Sequence, residues 1–469
     1  MDNCSEDINK RERKFVQMTE TPVRRLIIHF AIPSIMTMMV TALYNMVDAY
    51  FVGKLSTEAV AGVGVAFAFQ ALIQAIGFFF GSGAGTYISR ALGSKDMDGA
   101  ERMAATGFLM PMLLGGVIAT LGLAFLPGLS RLLGATPDIV PSACDYLRWL
   151  LVAMPFMVSQ MSMNNQLRMQ GGAWFSMLGV VSGCILNVIL DPIFIFRMNM
   201  GVSGASLATL ICQCFSWTLL FWGTTRNGNV HIRLSNFTPT WKMFKEITYG
   251  GLPSLARQAL GSLATVCMNW AAAFYAADGS QASVIAAFAV VSRVMICAMS
   301  FILGLGQGFQ PVVGFNWGAK RYGRVREAYK FIMSASCVII LIMSALGLIY
   351  AENIVAFFRA EDPELIRVGA RILRWQCTAF VFVSVTTPTN MLFQNIRRTG
   401  PATLLAMSRQ GIFYYPALLI MPRIWGLEGL MATLAVADTC TFLLAVPFSI
   451  SIMRELRERE KTLPESTES

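Results

Sequence analysis

Apolar and polar positions along this chain alternate on the scale of whole helices. Charge-poor runs, each long enough to cross a bilayer as an α-helix of about 20 residues, recur from near residue 24 to residue 452. They predict twelve spans, approximately 24–50, 57–83, 99–126, 138–161, 171–196, 203–223, 244–274, 281–308, 327–350, 365–392, 402–422 and 427–452. The expected fold class is an all-α polytopic membrane protein.

The pattern repeats. IPSIM at 32–36 matches LPSLA at 252–256, and GSGAGTYISRALGSK at 81–95 matches GQGFQPVVGFNWGAK at 306–320. Arg148-Trp149 matches Arg374-Trp375, and Gly201-x-x-Gly204 matches Gly426-x-x-Gly429. Offsets of 220 to 226 residues at four places predict a duplicated chain. Each unit holds an even number of spans, so the halves enter the membrane the same way round. The expected arrangement is two six-helix bundles related by a pseudo-two-fold axis along the membrane normal, with a path between them. The expected divisions are a tail at 1–23, an N-terminal lobe at 24–223, a linker at 224–243, a C-terminal lobe at 244–452 and a tail at 453–469.

Charge orients the bundle. Even-numbered loops carry most of the Lys and Arg, as do both tails, so both termini are expected on the cytoplasmic side of a bacterial inner membrane. The net charge of +10 therefore reads as membrane topology and not as a nucleic-acid surface. At 14% charged residues and a mean hydropathy of +0.56, the chain falls far from the roughly 25% charge of a soluble domain. The start is too polar, and the first apolar run too long, for a cleavable signal peptide. Ten scattered cysteines, such as Cys184, Cys267 and Cys337, read as small buried hydrophobes.

Candidate chemistry lies inside the spans, where an acid is expensive and usually faces a cavity or a partner. Thr37, Thr41, Asn45 and Asp48 share one face of span one, and this polar stripe argues for a water-filled interior over wet headgroups at Asp48. Thr41 and Asn45 are accordingly candidates to line a substrate cavity. Asn187 and Asp191 share a face of span five. Asp48, Asn187, Asp191 and Thr209 can converge into one oxygen-lined pocket for a proton or for Na⁺, although Thr209 also reads as a packing threonine. At the matching places the second half has Met268 and Tyr415, so the acids belong to the first half alone. In the second half, Arg257 and Arg409 stand where they can snorkel to the cytoplasmic face. Arg293 and Asp438 lie deeper and are expected to pair, ahead of touching substrate. Mid-span prolines, Pro33 among them, each leave one carbonyl without its donor and read either as fixed kinks or as hinges; Pro33 and Pro192 are the hinge candidates. No Walker motif, nucleophile elbow or metal-ligand helix is present, so neither an ATP-driven pump nor an intramembrane enzyme is indicated.

The stretches LYNMVDAYFVGKL at 43–55, GSGAGTYISRALGSKD at 81–96, ILNVILDPIFIF at 185–196, GVSGASLAT at 201–209 and GLGQGFQPVVGFNWGAKR at 304–321, in this order, resemble the multidrug and toxic compound extrusion (MATE) family, in its MepA-like bacterial branch. The resemblance covers roughly residues 20–450. It implies an inner-membrane antiporter that exports cationic amphipathic compounds against H⁺ or Na⁺, with no cofactor beyond the coupling ion and no nucleic-acid partner, and expected as a monomer. It also implies that Asp48, Asn187, Asp191 and Thr209 hold the coupling cation, and that Tyr44 and Asn164 line the N-lobe cavity. An acid that some branches place in the seventh helix is absent from LPSLARQALGSLATVCMNWAAAFY. The competing expectation is a lipid-linked oligosaccharide flippase of the wider superfamily, for which Arg257, Arg293 and Arg409 would hold a pyrophosphate.

Overall fold

Each apolar run becomes a helix, because a backbone in lipid must satisfy its hydrogen bonds within its own segment. The computed structural model describes residues 2–55, 57–226, 228–275, 281–358 and 362–462. The helices are α1 (Asp2–Glu20), α2 (Val23–Gly53), α3 (Thr57–Gly93), α4 (Met97–Ala124), α5 (Leu126–Leu132), α6 (Val140–Met169), α7 (Ala173–Pro192) and α8 (Gly201–Thr224). The second half holds α9 (Trp241–Tyr275), α10 (Gln281–Gly318), α11 (Tyr322–Ile349), α12 (Ala351–Phe358), α13 (Pro363–Phe380), α14 (Val383–Asn395), α15 (Thr399–Met407) and α16 (Tyr414–Thr462). Single π turns follow α7 (Ile193–Arg197) and α15 (Ser408–Ile412). The expected twelve spans in two lobes are present: α2, α3, α4, α6, α7 and α8 in one, and α9 to α16 in the other, with α13–α14 one broken span and α16 two spans joined at Gly426.

The duplication is written in the backbone. Residues at matching places share a positive φ: Lys95 (φ 61°) with Lys320 (φ 58°), Gly171 (φ 83°) with Arg397 (φ 66°), and Gly201 (φ 56°) with Gly426 (φ 57°). The lobes meet through α3 against α9 and α2 against α10. Glycine makes this possible. A Cβ on Gly93 would run into the carbonyl of Phe315, and one on Gly318 into the carbonyl of Arg90. Residues 93 and 318, like 90 and 315, are 225 apart, so the contact is its own mirror about the pseudo-two-fold axis. Gly83 and Gly251 lie in the same way against the carbonyls of Ile247 and Phe79. Ser254 donates to Ser82 at 3.0 Å, and Gln258 donates to Gln74 at 2.8 Å. All these contacts lie in the half of the molecule nearer the tails, here termed the basic face. Beyond Gln74 and Gln258, Phe67, Leu263 and Val266 are exposed and the lobes part.

Three helices outrun their apolar stretches at the basic face. The spans expected to end at 83, 161 and 308 continue to Gly93, Met169 and Gly318. Polar residues on the added turns are buried and find partners there: Ser162 donates to the Gly107 carbonyl (2.5 Å), and Asn316 to the Met18 carbonyl (3.1 Å). The stretch expected as an N-terminal tail is largely α1, which crosses the basic face. Its Arg11 pairs with Glu101 of the first lobe at 3.4 Å, while Arg321 of the second donates to the Thr19 carbonyl at 2.7 Å. The linker lies on the first lobe, where Val230 donates to Gln170 Oε1 at 2.7 Å. The last helix runs past the expected boundary at 452 to Thr462, held by a Glu455 carboxylate that takes Arg398 (2.5 Å) and Arg459 (2.9 Å).

Candidate functional site

Three helices of the first lobe carry the expected polar residues to one place. On α2, Thr41, Tyr44 and Asp48 recur at i, i+3 and i+7 and so share a face. On α7, Asn187 and Asp191 are one turn apart. All but Thr41 and Tyr44 are nearly or wholly buried: Asp48 is 7% exposed, Asn187 2% and Asp191 0%. The packing of α2 on α7 brings the two carboxyl groups within hydrogen-bonding reach of each other. Two turns closer to the basic face, the Thr41 hydroxyl meets the Cys184 thiol. Thr209 reaches the same level from α8. Gly204 packs on Phe194 to one side of it, and Gly183 on the Cys212 carbonyl to the other, so Thr209 faces the turn from Asn187 to Asp191. Its hydroxyl donates to the Ala205 carbonyl at 3.1 Å and keeps its lone pairs.

The electrostatics of this group are unusual. Asp48 Oδ1, both Asp191 carboxyl oxygens and both amide atoms of Asn187 are buried without a hydrogen-bond partner. Two carboxylates side by side cannot bond to each other unless a proton lies between them. Buried polar groups in folded proteins are almost always satisfied, so an orphaned set asks for a ligand. Hard oxygens around two negative charges suit a small cation: a shared proton, or Na⁺ held by Asp48, Asp191, Asn187 and Thr209. The chain after Asp191 is shaped by Pro192. With no N–H there, the helix re-registers into a π turn, in which Met198 donates to the Ile193 carbonyl at 2.9 Å. Pro33, by contrast, sits inside an unbroken α2, with the Thr37 hydroxyl donating to its carbonyl at 2.8 Å.

Two members of the group come from helices that the sequence pattern does not connect with the acid pair. Tyr146 of α6 is 1% exposed and lies close enough to both acids for their charges to act on it, and Gln70 of α3 donates to its hydroxyl at 3.3 Å. An aromatic near a span end reads from sequence as an interface anchor, so nothing local pointed to it. Two residues expected to line the substrate cavity stand apart from the acid pair. Asn45 is exposed, outside the buried group. Asn164 donates to Ser176 Oγ at 2.7 Å, and Ser176 is fifteen residues before Asp191 on α7, about 22 Å along a helix.

The second lobe departs from expectation. Asp438 pairs with Arg409, at 2.6 Å from Nε and 3.3 Å from Nη2, and not with Arg293, which is exposed on α10. Arg409 therefore does not snorkel. The π turn Ser408–Ile412 turns it inward, onto the acid buried within the spans of that lobe.

Comparison with known proteins agrees with this architecture. The MatE family model matches residues 33–193 and 253–417, one copy in each lobe. The chain is 25% identical over 452 residues to the multidrug export protein MepA of Staphylococcus haemolyticus (strain JCSC1435), covering 96% of this chain and 97% of that one. Among solved structures, an outward-facing multidrug resistance MATE family transporter of the MOP superfamily superposes with a TM-score of 0.87 at 26% identity, over 94% of this chain and 98% of that one. A MATE structure in its straight conformation gives the same TM-score of 0.87 at 26% identity, over 94% and 99%.

Proposed function

Since the chain belongs to the MatE family, we propose that it exports cationic amphipathic drugs or toxic organic compounds across a membrane in exchange for H⁺ or Na⁺, by alternating access between its two lobes. It is a multi-pass membrane protein of a multidrug-export family and not an enzyme. The carrying observation is the buried Asp48–Asp191 pair, of which Asp48 Oδ1 and both Asp191 oxygens have no hydrogen-bond partner. The excess of Lys and Arg supports placing the basic face, with both termini, in the cytoplasm of a bacterial cell. No cofactor beyond the coupling ion, no nucleic acid and no partner chain enters the scheme, and the unit of transport is the monomer in its lipid.

In this reading the lobes open away from the cytoplasm in the conformation described. With both acids ionised, the first lobe is negative and attracts an organic cation. A proton or Na⁺ arriving from outside neutralises the pair, and that attraction is lost. The hydrogen-bond demands on α2 change at the same moment, and Pro33, which leaves the His29 carbonyl without a helical donor, is the place where α2 can bend and shrink the cavity. Exchange requires the ion and the substrate to favour different states of one site. The buried first-lobe acids count against the lipid-linked flippase reading.

Reconstitution tests this. In proteoliposomes carrying a pH gradient or a Na⁺ gradient, imposed separately, one of the two should drive uptake or release of a cationic dye. Transport of the dye indifferent to both gradients would sink the exchange reading.

A further inference from the structure

The second lobe has no counterpart of the acid pair, yet its interior is charged. Arg257 on α9 and Arg409 on the π turn stand at the same level of two packed elements. One turn past Arg257, a Cβ on Gly261 would come within 2.8 Å of Gln410 Oε1, and a Cβ on Gly411 within 2.8 Å of Leu260 Cδ1. One turn further, the Tyr414 hydroxyl donates to the Ala264 carbonyl at 3.3 Å. Arg257, Gly261 and Ala264 recur at i, i+4 and i+7, so the face of α9 that meets the π turn is the face that carries Arg257. The two guanidinium charges repel each other.

The nearby negative charge is already committed. Asp438 is held by Arg409 through two contacts, and Met299 Sδ lies 3.9 Å from a third guanidinium nitrogen. Arg257 has no hydrogen bond and no ion pair among the described residues. It is half-buried, and its chain neighbour Gln258 makes the last bond across the seam before the lobes part. Arg257 thus stands at the floor of the cleft, in the middle of a span. Toward the basic face its way is shut by Ser254, which is 1% exposed and takes one bond from Gln394 on one side and gives one to Ser82 on the other. A cation so placed faces a water-filled path and calls for an anionic partner.

We propose that Arg257 anchors an anion-binding subsite in the second lobe, which takes the carboxylate, sulfonate or phosphate of an amphipathic ligand entering the cleft. The guanidinium fork matches such groups in a bidentate way. The Arg409–Asp438 pair borders the subsite: Arg409 adds positive potential, and Asp438 keeps that arginine turned inward. The two lobes therefore carry opposite signs, the acids in the first and the unpaired arginine in the second. A ligand with both charges, or a lipid with an anionic headgroup, would find a complement here that a simple cation lacks. The subsite does not depend on which ion drives exchange.

The test uses the full chain in phosphatidylcholine nanodiscs, with fluorescein as a rigid aromatic anion, read by anisotropy. Saturable binding is expected for the parent. Arg257→Gln should weaken it about tenfold or more, the loss of one charge-assisted bidentate contact, and Arg257→Lys should fall between the two. Glu364→Gln, at the exposed pair with Arg367 away from the cleft, should leave it unchanged. Binding of the cationic dye rhodamine 6G, unaltered in Arg257→Gln, reports that the variant is folded; failure of that dye to bind the parent would count against the export reading and not against the subsite. Replacing part of the phosphatidylcholine by phosphatidylglycerol distinguishes the source. Competition with fluorescein in the parent, lost in Arg257→Gln, assigns the site to a lipid headgroup, and its absence assigns it to a diffusible solute. Fluorescein that binds Arg257→Gln as tightly as the parent, or binds the parent no better than empty discs, overturns the proposal.

Discussion

Arg90 of the first lobe stands 3.8 Å from Glu246 of the second, across the seam at the basic face. The same guanidinium donates to the Asn395 carbonyl at 2.7 Å, and the same carboxylate takes Arg397 at 2.5 Å. Both partners of the cross-seam pair are largely buried, with 13% and 11% of their side chains exposed. Removing one charge from such a pair strands the other, at a cost of about 3 kcal/mol. Glu246→Gln should therefore loosen the seam. Hydrogen exchange should quicken in 83–93 and 241–258 and stay unchanged in α12 and α13. Glu364→Gln, which breaks the exposed pair with Arg367, should leave stability and exchange as they are.

The glycine seam makes a steric prediction. A methyl group on Gly318 meets the backbone carbonyl of Arg90, which no rotamer change can move away. Gly318→Ala should cost about 1–3 kcal/mol as overpacking, read as a lower thermal midpoint, and should stop transport by holding the lobes apart. Gly400→Ala places its methyl in open space and should leave both properties as they are.

These two contacts mark the limit of what the chain discloses in advance. The twelve spans were legible because each is an apolar run of bilayer length, and the duplication because its offset barely changes between landmarks. The motif GSGAGTYISRALG was legible as a repeat, but its purpose was not. Glycines spaced along a helix say that something approaches closely, and only the fold says that it is the carbonyls of the other half. Asp48 and Asp191 stood out because an acid is rare in a span. Tyr146, near the start of its span, and Gln70, in the middle of its own, complete their surroundings but are ordinary residues for such positions. The pairing of Asp438 with Arg409 in place of Arg293 depends on a π turn, and a single inserted residue in a helix leaves no periodic trace. The turns beyond 83, 161 and 308 were missed for a related reason. Their polar residues are buried against the other lobe and the neighbouring helices, so hydropathy ends each span early.

Lys14 ties α1 to the linker by donating to Asn229 Oδ1. Burial, with the neighbouring Arg11 charge adding to it, pushes this amine down from 10.5 to about 7. The folded state therefore binds fewer protons at Lys14 than the unfolded chain between pH 7 and 10.5, and stability must rise with pH across that window. Since the side chain keeps some contact with water, about 1–2 kcal/mol is expected in place of the full linkage. Exchange protection of α1 should grow as the pH is raised from 6 to 9. Lys14→Met should flatten that dependence. An unchanged slope in the variant would show that another group sets it.

The buried acids of the two lobes should respond in opposite ways to the same near-isosteric change. Asp438 is satisfied by Arg409, so Asp438→Asn leaves a guanidinium without its counter-charge and should lower stability by about 2–4 kcal/mol. Asp48 and Asp191 have no such counter-charge, three of their four oxygens lack a hydrogen-bond partner, and each stands against the other's charge. Asp48→Asn and Asp191→Asn remove that conflict and supply an amide donor in its place. Each should leave the thermal midpoint unchanged or raise it, by up to about 1 kcal/mol of stability. Each should also abolish ion-driven efflux, because a pocket that cannot change its charge cannot favour ion and substrate in different states. Thermal unfolding in detergent and dye efflux from proteoliposomes, run on the same three variants, separate the two effects. First-lobe variants that lost stability and kept transport would assign the pair to structure and leave the coupling without a site.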